Sequence, residues 1–311
     1  MKKVFIDGSA GTTGLRIVER LSARDDLALI ILPDDKRKDP QARKEALHSA
    51  DIAFLCLPDA AAIEAVALAE GSDTVIIDTS TAHRTNEAWA YGFPELTGRK
   101  ERILASKRIA NPGCHASGFV ALVEPLVQAG LLPGDAELCC FSLTGYSGGG
   151  KNMIAEYESE NRDPLLTAPR QYGLTQQHKH LKEMAKIAGL STLPAFSPIV
   201  APFYSGMEVT IPLFTNQLNC EKKDAIAAVA DIYKNTFRGP IVRYNDSVSE
   251  NGFLSAGAFS GKDTMEVSVF GNEDRIILVS RFDNLGKGAS GAAIQNMNLI
   301  LGLDETTGLA V

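Results

Sequence analysis

The sequence predicts an α/β protein in two parts: a parallel-sheet domain, and an α+β domain on a mostly antiparallel sheet. Three observations carry this expectation. A short apolar run, Val4-Phe5-Ile6, leads through a glycine-rich turn, residues 8–14, into a helical pattern at Leu15, Ile17, Val18 and Leu21. Two later runs, 51–57 and 74–78, are almost continuously apolar, as strands covered on both faces are. Beyond about residue 132 the strand patterns lengthen and alternate, at 138–143, 209–213 and 265–269, with a helical stretch at 222–237 among them. The first part is therefore expected to be a Rossmann-type dinucleotide-binding domain.

At 311 residues the chain is long enough for two domains with a core each. The boundaries are expected at 1–113 plus 289–311 for the dinucleotide-binding domain and 114–288 for the catalytic and oligomerisation domain. A net charge of -7 argues against a nucleic-acid surface. An acidic chain that handles an acidic ligand needs a local basic site, so single arginines and lysines near the chemistry matter more than charge runs. Five cysteines, Cys56, Cys114, Cys139, Cys140 and Cys220, show neither zinc-ligand spacing nor a disulfide framework. A reducing cytoplasm is the expected location. Met1-Lys2-Lys3 starts like a signal segment, but Asp7 interrupts the apolar run, and no run of about 18 apolar residues suggests a membrane span.

The turn Gly8-Ser9-Ala10-Gly11-Thr12-Thr13-Gly14 has G-x-x-G-x-x-G spacing. Between a strand and a helix, such glycines let backbone approach a pyrophosphate that faces the helix N-terminus. A merely tight βα loop would use the same residues. The next strand, 27–32, ends in Pro33-Asp34-Asp35-Lys36-Arg37-Lys38. An acidic residue here suits ribose hydroxyls, and a basic one suits a 2′-phosphate. The basic cluster favours NADP, against the reading of a solvated loop of mixed charge.

Past the strand at 74–78 lies Thr79-Ser80-Thr81-Ala82-His83-Arg84, hydroxyls and an arginine at the edge where α/β sheets hold ligands. Arg84 suits a bidentate grip on phosphate or carboxylate, unless it is a surface arginine. A last short strand at 108–110 delivers Asn111-Pro112-Gly113-Cys114. The apolar positions Phe119, Val120, Val123, Leu126 and Val127 predict a helix whose first turn begins near Cys114. A thiol there feels unpaired N–H groups and the positive end of the helix dipole, which favour the nucleophilic thiolate. The competing reading is a small buried residue at a helix start.

Gly145-Tyr146-Ser147-Gly148-Gly149-Gly150-Lys151 reads as a flexible loop near substrate or in solvent. His178 and His180 lie two apart, ahead of a helical pattern. On a helix they would face apart, so no metal is expected between them. One suits a general acid/base, and spacing does not choose which. The segment from Asn284 through Gly288 leads to a small-residue helix with Ala292, Ala293, Gln295, Asn296 and Asn298, expected to pack back on the first sheet.

Seven segments in order resemble the N-acetyl-gamma-glutamyl-phosphate reductases of arginine biosynthesis, in their shorter form. They are the glycine turn, Cys56-Leu57-Pro58-Asp59, Asp78 through Arg84, Tyr91-Gly92-Phe93-Pro94-Glu95-Leu96, Asn111 through Cys114, His178-Lys179-His180, and Gly288 through Asn298. The resemblance spans nearly the whole chain. It implies an NADP-dependent reductase of an acyl phosphate, related to aspartate-semialdehyde dehydrogenase, with Cys114 as nucleophile and one of the two histidines as acid/base. It departs from many relatives in lacking the proline after His-Lys-His. The expected site is Cys114, His178 and His180 for catalysis; Gly8, Ser9, Ala10, Gly11, Thr12, Thr13, Gly14, Arg37, Ser80, Asn284 and Gly288 for the cofactor; and Arg84, Arg108, Asn111 and Ser147 for the substrate. A small acyl phosphate, phosphate and a homodimer or homotetramer are the expected partners. A sister enzyme acting on aspartyl phosphate and a non-catalytic NADP sensor are the alternatives.

Overall fold

The computed structural model describes residues 1–248 and 250–311. The chain divides into two compact units, Met1–Pro94 with Gly98–Pro112 and Ala289–Leu309, and Glu95–Thr97 with Gly113–Gly288 and Ala310–Val311.

In the first unit, β1 (Lys2–Asp7), β2 (Leu27–Ile30), β3 (Ile52–Leu55), β4 (Val75–Asp78), β5 (Ala90–Tyr91) and β6 (Arg108–Ala110) form one sheet. Among the described residues its order is β2-β1-β3-β4-β6-β5, and its strands pair in parallel. The helices are α1 (Thr12–Ser22), α2 (Pro40–Ser49), α3 (Asp59–Leu68), α4 (Arg99–Leu104) and, from the far end of the chain, α9 (Gly291–Ile300). Successive strand residues point to opposite faces. Val4, Ile6 and Phe54 therefore join a core with Ile17 and Leu21 of α1 and Ala293, Ile294 and Met297 of α9. Phe5, Ala53 and Leu55 join the other, with Leu47 of α2 and Ala62 and Ala65 of α3. Both faces are covered, which is why these strands read as unbroken apolar runs. The helix α2 was not foreseen, although Asp39 before Pro40 is a clear start signal: its carboxylate accepts from the N–H groups of Gln41 and Ala42.

In the second unit, β7 (Cys139–Gly145), β8 (Arg170–Gln171), β9 (Ala195–Ala201), β10 (Met207–Phe214), β11 (Val242–Tyr244), β12 (Met265–Gly271) and β13 (Arg275–Phe282) run in the order β11-β12-β13-β10-β7-β9-β8. The pairs β12–β13, β13–β10, β10–β7 and β9–β8 are antiparallel, while β11–β12 and β7–β9 are parallel, so the sheet is mixed with antiparallel pairs prevailing. The helix α5 (Cys114–Gln128) starts at the cysteine, as its apolar spacing predicts, and is buried from His115 through Leu126. It packs on β10 and β13 and beside α7 (Leu181–Ala188) and α8 (Ala225–Thr236). The helix expected over 222–237 is α8 preceded by a 3-10 turn, Lys222–Asp224. A further helix, α6 (Gly150–Glu158), grows from the glycine loop that the sequence reads as flexible.

The described residues include no helix long and apolar enough to cross a membrane.

Candidate active site

Two constellations stand out, one in each unit. In the first, β1 leads through the glycine turn into α1. Gly8 has φ of 86°, and a Cβ there would lie 2.2 Å from the Cys56 carbonyl oxygen at the end of β3. A Cβ on Gly14 would lie 2.3 Å from the Gly8 carbonyl. Gly8 and Gly14 are thus pressed against neighbouring backbone, with no room for a side chain at either position. Gly11, the N-cap of α1, offers no side-chain oxygen to the helix N–H groups, which are left for an anion. Beside them lies a cavity of about 370 Å³, lined in part by Gly8, Ser9, Ala10, Gly11, Arg37 and Lys38. It sits where the sheet order turns back, with β2 on one side of β1 and β3 on the other, the usual ligand crevice of an open parallel sheet. Arg37 is half-exposed and ion-paired to Asp34 at 3.2 Å. Glycine cradle, helix N-terminus and basic rim fit a dinucleotide. Thr12, Thr13 and Gly14 fall in the first turn of α1 rather than in the cavity wall.

Replacing Gly8 with alanine tests this turn. The positive φ alone costs about 1–2 kcal/mol, and the clash with backbone adds to it. We expect Gly8→Ala to weaken binding of the reduced nicotinamide dinucleotide at least about tenfold, a loss of roughly 1.4 kcal/mol, measured by quenching of protein fluorescence. Unchanged affinity would separate the turn from the cofactor.

The turn after β4 is organised around Asp78, which is fully buried. Its carboxylate accepts from Ser80 N–H at 2.9 Å, from Ser80 Oγ at 2.7 Å and from His83 Nδ1 at 2.7 Å, and the His83 ring stacks on Trp89. Ser80 thus faces Asp78, outside the lining of the cavity described above. Arg84 is buried and donates to the backbone carbonyls of Asn111 at 2.9 Å and Thr79 at 2.8 Å. It ties this turn to the end of β6. Asn111 donates through Nδ2 to the Ala289 carbonyl at 3.0 Å, and its Oδ1 is buried with no hydrogen-bond partner among the described residues. Arg108 stands apart from these. It opens β6, at the end of the sheet opposite the turns, and donates to the carbonyls of Thr74 and Lys107 at 3.1 and 3.0 Å. Of the two arginines expected at the substrate, Arg84 thus lies by the turns and Arg108 at the opposite end of β6. A β-strand three residues long already separates its first residue from the ligand edge.

In the second unit, Cys114 opens α5 behind Gly113, which gives no side-chain cap. The Gly113 N–H donates to Glu183 Oε1 of α7 at 2.8 Å, and Glu183 is buried. A carboxylate on the adjacent helix α7 therefore holds the turn that presents the thiol. On the other side a Cβ at Gly288 would lie 3.0 Å from the Cys114 Cβ, so any side chain at 288 would press on the cysteine. Asn284 and Ser147, expected at cofactor and substrate, are both buried and hydrogen-bond to each other, Nδ2 to Oγ at 2.9 Å, and Asn284 Oδ1 also accepts from Gly206 N–H.

His178 and His180 lie in the turn before α7, not on the helix, so their rings converge instead of diverging: the centroids are 4.8 Å apart. Both rings also lie 5.6 Å from His115. His115, Tyr172 and Glu183 were not singled out from the sequence. The signal for His115 was its place next to Cys114; nothing local marks the other two. Among the described residues no group of His, Cys, Asp or Glu is arranged to hold a metal. Burial, with positive charge at His178 and Lys179, pushes His115 down to about 3, and burial with Lys179 pushes His178 down to about 4. Both are neutral at pH 7.

These depressions couple stability to pH. Unfolding returns each imidazole to about 6.5, so the unfolded chain binds protons that the folded one does not. Stability is complete above about 6.5 and declines as pH falls toward 4, by up to about 1.4 kcal/mol per pH unit for His115. In His115→Gln the slope of the urea midpoint between pH 6.5 and 4.5 should be shallower than in wild type. Equal slopes would refute the buried neutral imidazole.

A parallel-sheet nucleotide crevice in one unit and, in the other, a cysteine at a helix N-terminus without a side-chain cap are the two constellations of a dinucleotide-dependent dehydrogenase architecture. Residues 3–104 match the family described as "Semialdehyde dehydrogenase, NAD binding domain" and residues 114–284 that described as "Semialdehyde dehydrogenase, dimerisation domain". The chain belongs to the semialdehyde dehydrogenase family. It is 47% identical over 308 residues, 96% of this chain and 99% of the relative, to an N-acetyl-gamma-glutamyl-phosphate reductase of Brucella suis. It is 44% identical over 318 residues, 99% of each, to N-acetyl-gamma-glutamyl-phosphate reductase 2 of Nostoc. In fold it is similar to aspartate semialdehyde dehydrogenase II of Vibrio cholerae, with a TM-score of 0.73, 18% identity and coverage of 97% of this chain and 98% of that one. The aspartate semialdehyde dehydrogenase of Francisella tularensis aligns with a TM-score of 0.70 at 15% identity, covering 97% and 100%.

Proposed function

We propose that this oxidoreductase reduces N-acetyl-gamma-glutamyl phosphate to N-acetylglutamate 5-semialdehyde, releasing phosphate, in arginine biosynthesis. The near full-length identity of 47% to a reductase of that name carries the reading, and Cys114 at the bare start of α5 supplies its chemistry. The thiolate sulfur attacks the acyl carbonyl, the C–O bond to phosphate breaks, and a thioester remains. NADPH, when bound, supplies the hydride that reduces this thioester. In this reading, backbone N–H groups at the start of α5, which has no side-chain cap, steady the oxyanion of each tetrahedral species. A histidine of the 178/180 pair handles the proton as the thiohemiacetal collapses, returning the thiolate and freeing the aldehyde. Splitting the reduction around a covalent intermediate replaces one hard step by two easier ones.

Arg37 and Lys38 at the cavity rim support NADP over NAD. Oligomerisation fits a sheet whose outer face exposes Phe141, Phe214 and Ile277, and a homodimer or homotetramer in the cytoplasm is the proposed state.

The reaction is testable in reverse. N-acetylglutamate semialdehyde, phosphate and NADP should give phosphate-dependent absorbance at 340 nm. Turnover of aspartate semialdehyde instead would assign the sister reaction, and silence with both would leave only nucleotide binding. Arg37→Ser with Lys38→Ser should raise KM for NADP at least about tenfold, roughly 1.4 kcal/mol of lost interaction, and leave that for NAD nearly unchanged.

A further inference from the structure

Gln176 has φ of 55°, in the left-handed region that residues with a side chain seldom adopt. Such a backbone persists where its surroundings hold it, and here the side chain does the holding. Its Oε1 accepts from the Phe196 N–H at 2.8 Å, and its Nε2 donates to the Phe196 carbonyl at 2.7 Å. The register of the sheet explains the match. β8 pairs with β9 through Arg170 with Val200 and Gln171 with Ile199, and the Tyr172 N–H continues the ladder to the Pro198 carbonyl at 3.0 Å. Every second residue of an antiparallel strand turns both its N–H and its C=O to the partner. Two residues on, Phe196 is therefore due to face Leu174. The chain has turned away at Gly173, with φ of 65°, and the Leu174 side chain is exposed. A primary amide offers an acceptor and a donor side by side, as a strand residue does. The Gln176 amide stands in for the missing residue of β8.

Phe196 is buried, and its ring backs the histidines, with centroids 5.3 Å from His115 and 5.2 Å from His178. His115 is fixed independently: its Nδ1 lies 2.6 Å from Ser142 Oγ and its Nε2 2.7 Å from the Tyr172 hydroxyl. His178 and His180 are tied to each other, since His178 Nδ1 accepts from the His180 N–H at 3.2 Å. The two bonds from Gln176 fix this turn to the sheet only two residues upstream of His178. We propose that Gln176 is a positioning residue of the reductase, whose amide completes the edge of β9 and so holds the His178/His180 turn on Phe196. The inference rests on the proposed function only in taking a histidine of this pair as the proton carrier.

His178 is faced by His115 of α5 and Tyr172 after β8, besides Lys179 and His180 of its own turn. None of these is changed in the variants. The test reads the imidazole titration of His178 by NMR in the intact protein without substrate, and separately kcat and KM in turnover. Gln176→Leu removes both bonds. Gln176→Gly removes them too but accepts a positive φ freely, so a role confined to backbone strain would leave it close to wild type. In both variants water should reach the loosened turn. The His178 midpoint, held down to about 4 by burial, should then rise by about one unit or more, a tenfold change in proton affinity. kcat should fall about 10–100-fold, as for a misplaced catalytic group, with KM for the dinucleotide unchanged. An unmoved His178 titration in folded Gln176→Gly would overturn the proposal, and so would a moved titration with undiminished kcat. Because the titration needs no acyl phosphate, wild-type protein that fails to turn over the proposed substrate would count against the function alone.

Discussion

Cys114→Ser should abolish hydride transfer while leaving NADPH binding unchanged. A serine hydroxyl at the same helix start keeps the dipole and the open N–H groups but ionises far less readily than a thiol, so neither the attack nor the thioester survives. We expect kcat to fall about 10⁴-fold or more, in the range seen when a covalent nucleophile is removed. His178→Gln and His180→Gln should cost less, about 10²–10⁴-fold for whichever ring handles the proton. The ring that does not should cost little. Fluorescence titration with NADPH and single-turnover absorbance at 340 nm separate binding from chemistry. A Cys114→Ser protein that retains a tenth of wild-type turnover would rule out the thioester route.

Lys287→Met should be the most destabilising single change. Lys287 is 1% exposed, and its Nζ donates to both carboxylate oxygens of Glu95 at 2.8 Å. Removing the lysine leaves a carboxylate whose side chain is 9% exposed without that partner. Breaking a buried pair from one side costs about 3–5 kcal/mol. Adding Glu95→Gln should restore a substantial part, because it removes the buried charge that has lost its ammonium partner. Urea unfolding of the two single variants and the double variant measures the coupling directly. Additive losses would mean that the pair does not interact as its geometry implies. Glu95 belongs to the short segment Glu95–Thr97, which clusters with the second unit although its neighbours in sequence cluster with the first. The pair is one tie between that segment and the 283–288 stretch.

Much of the first unit was legible because its signals are local. A strand, a glycine turn and a helix follow one another within 22 residues, and the apolar runs of β3 and β4 record a sheet covered on both faces. The start of α5 was equally plain, from Pro112-Gly113 and the spacing of Phe119, Val123 and Leu126. What stayed hidden depends on contacts distant in sequence. His115, Ser142 and Tyr172 meet because β8 pairs with β9 and β9 with β7, and no periodicity announces that register. Glu183 reads as one more polar helix residue until α7 is laid beside α5. The arginines show the converse problem. Composition says that Arg84 and Arg108 are cations near the sheet, but only strand direction and backbone carbonyls decide that one ties two turns together and the other lies at the far edge. The histidine pair misled through its assumed setting, since spacing rules for a helix do not apply to the turn ahead of it.

The turn built on Asp78 bears on how this chain can vary. One carboxylate accepts from Ser80 twice and from His83 once, and His83 lies flat on Trp89. Ser80, His83 and Trp89 therefore form one interlocked set with Asp78. Drift at any one of them leaves a buried donor, acceptor or ring face without its counterpart. An engineer who wishes to reshape this loop should exchange residues 78–84 and Trp89 as a single cassette, and a library that randomises one position at a time should return mostly the parental residue.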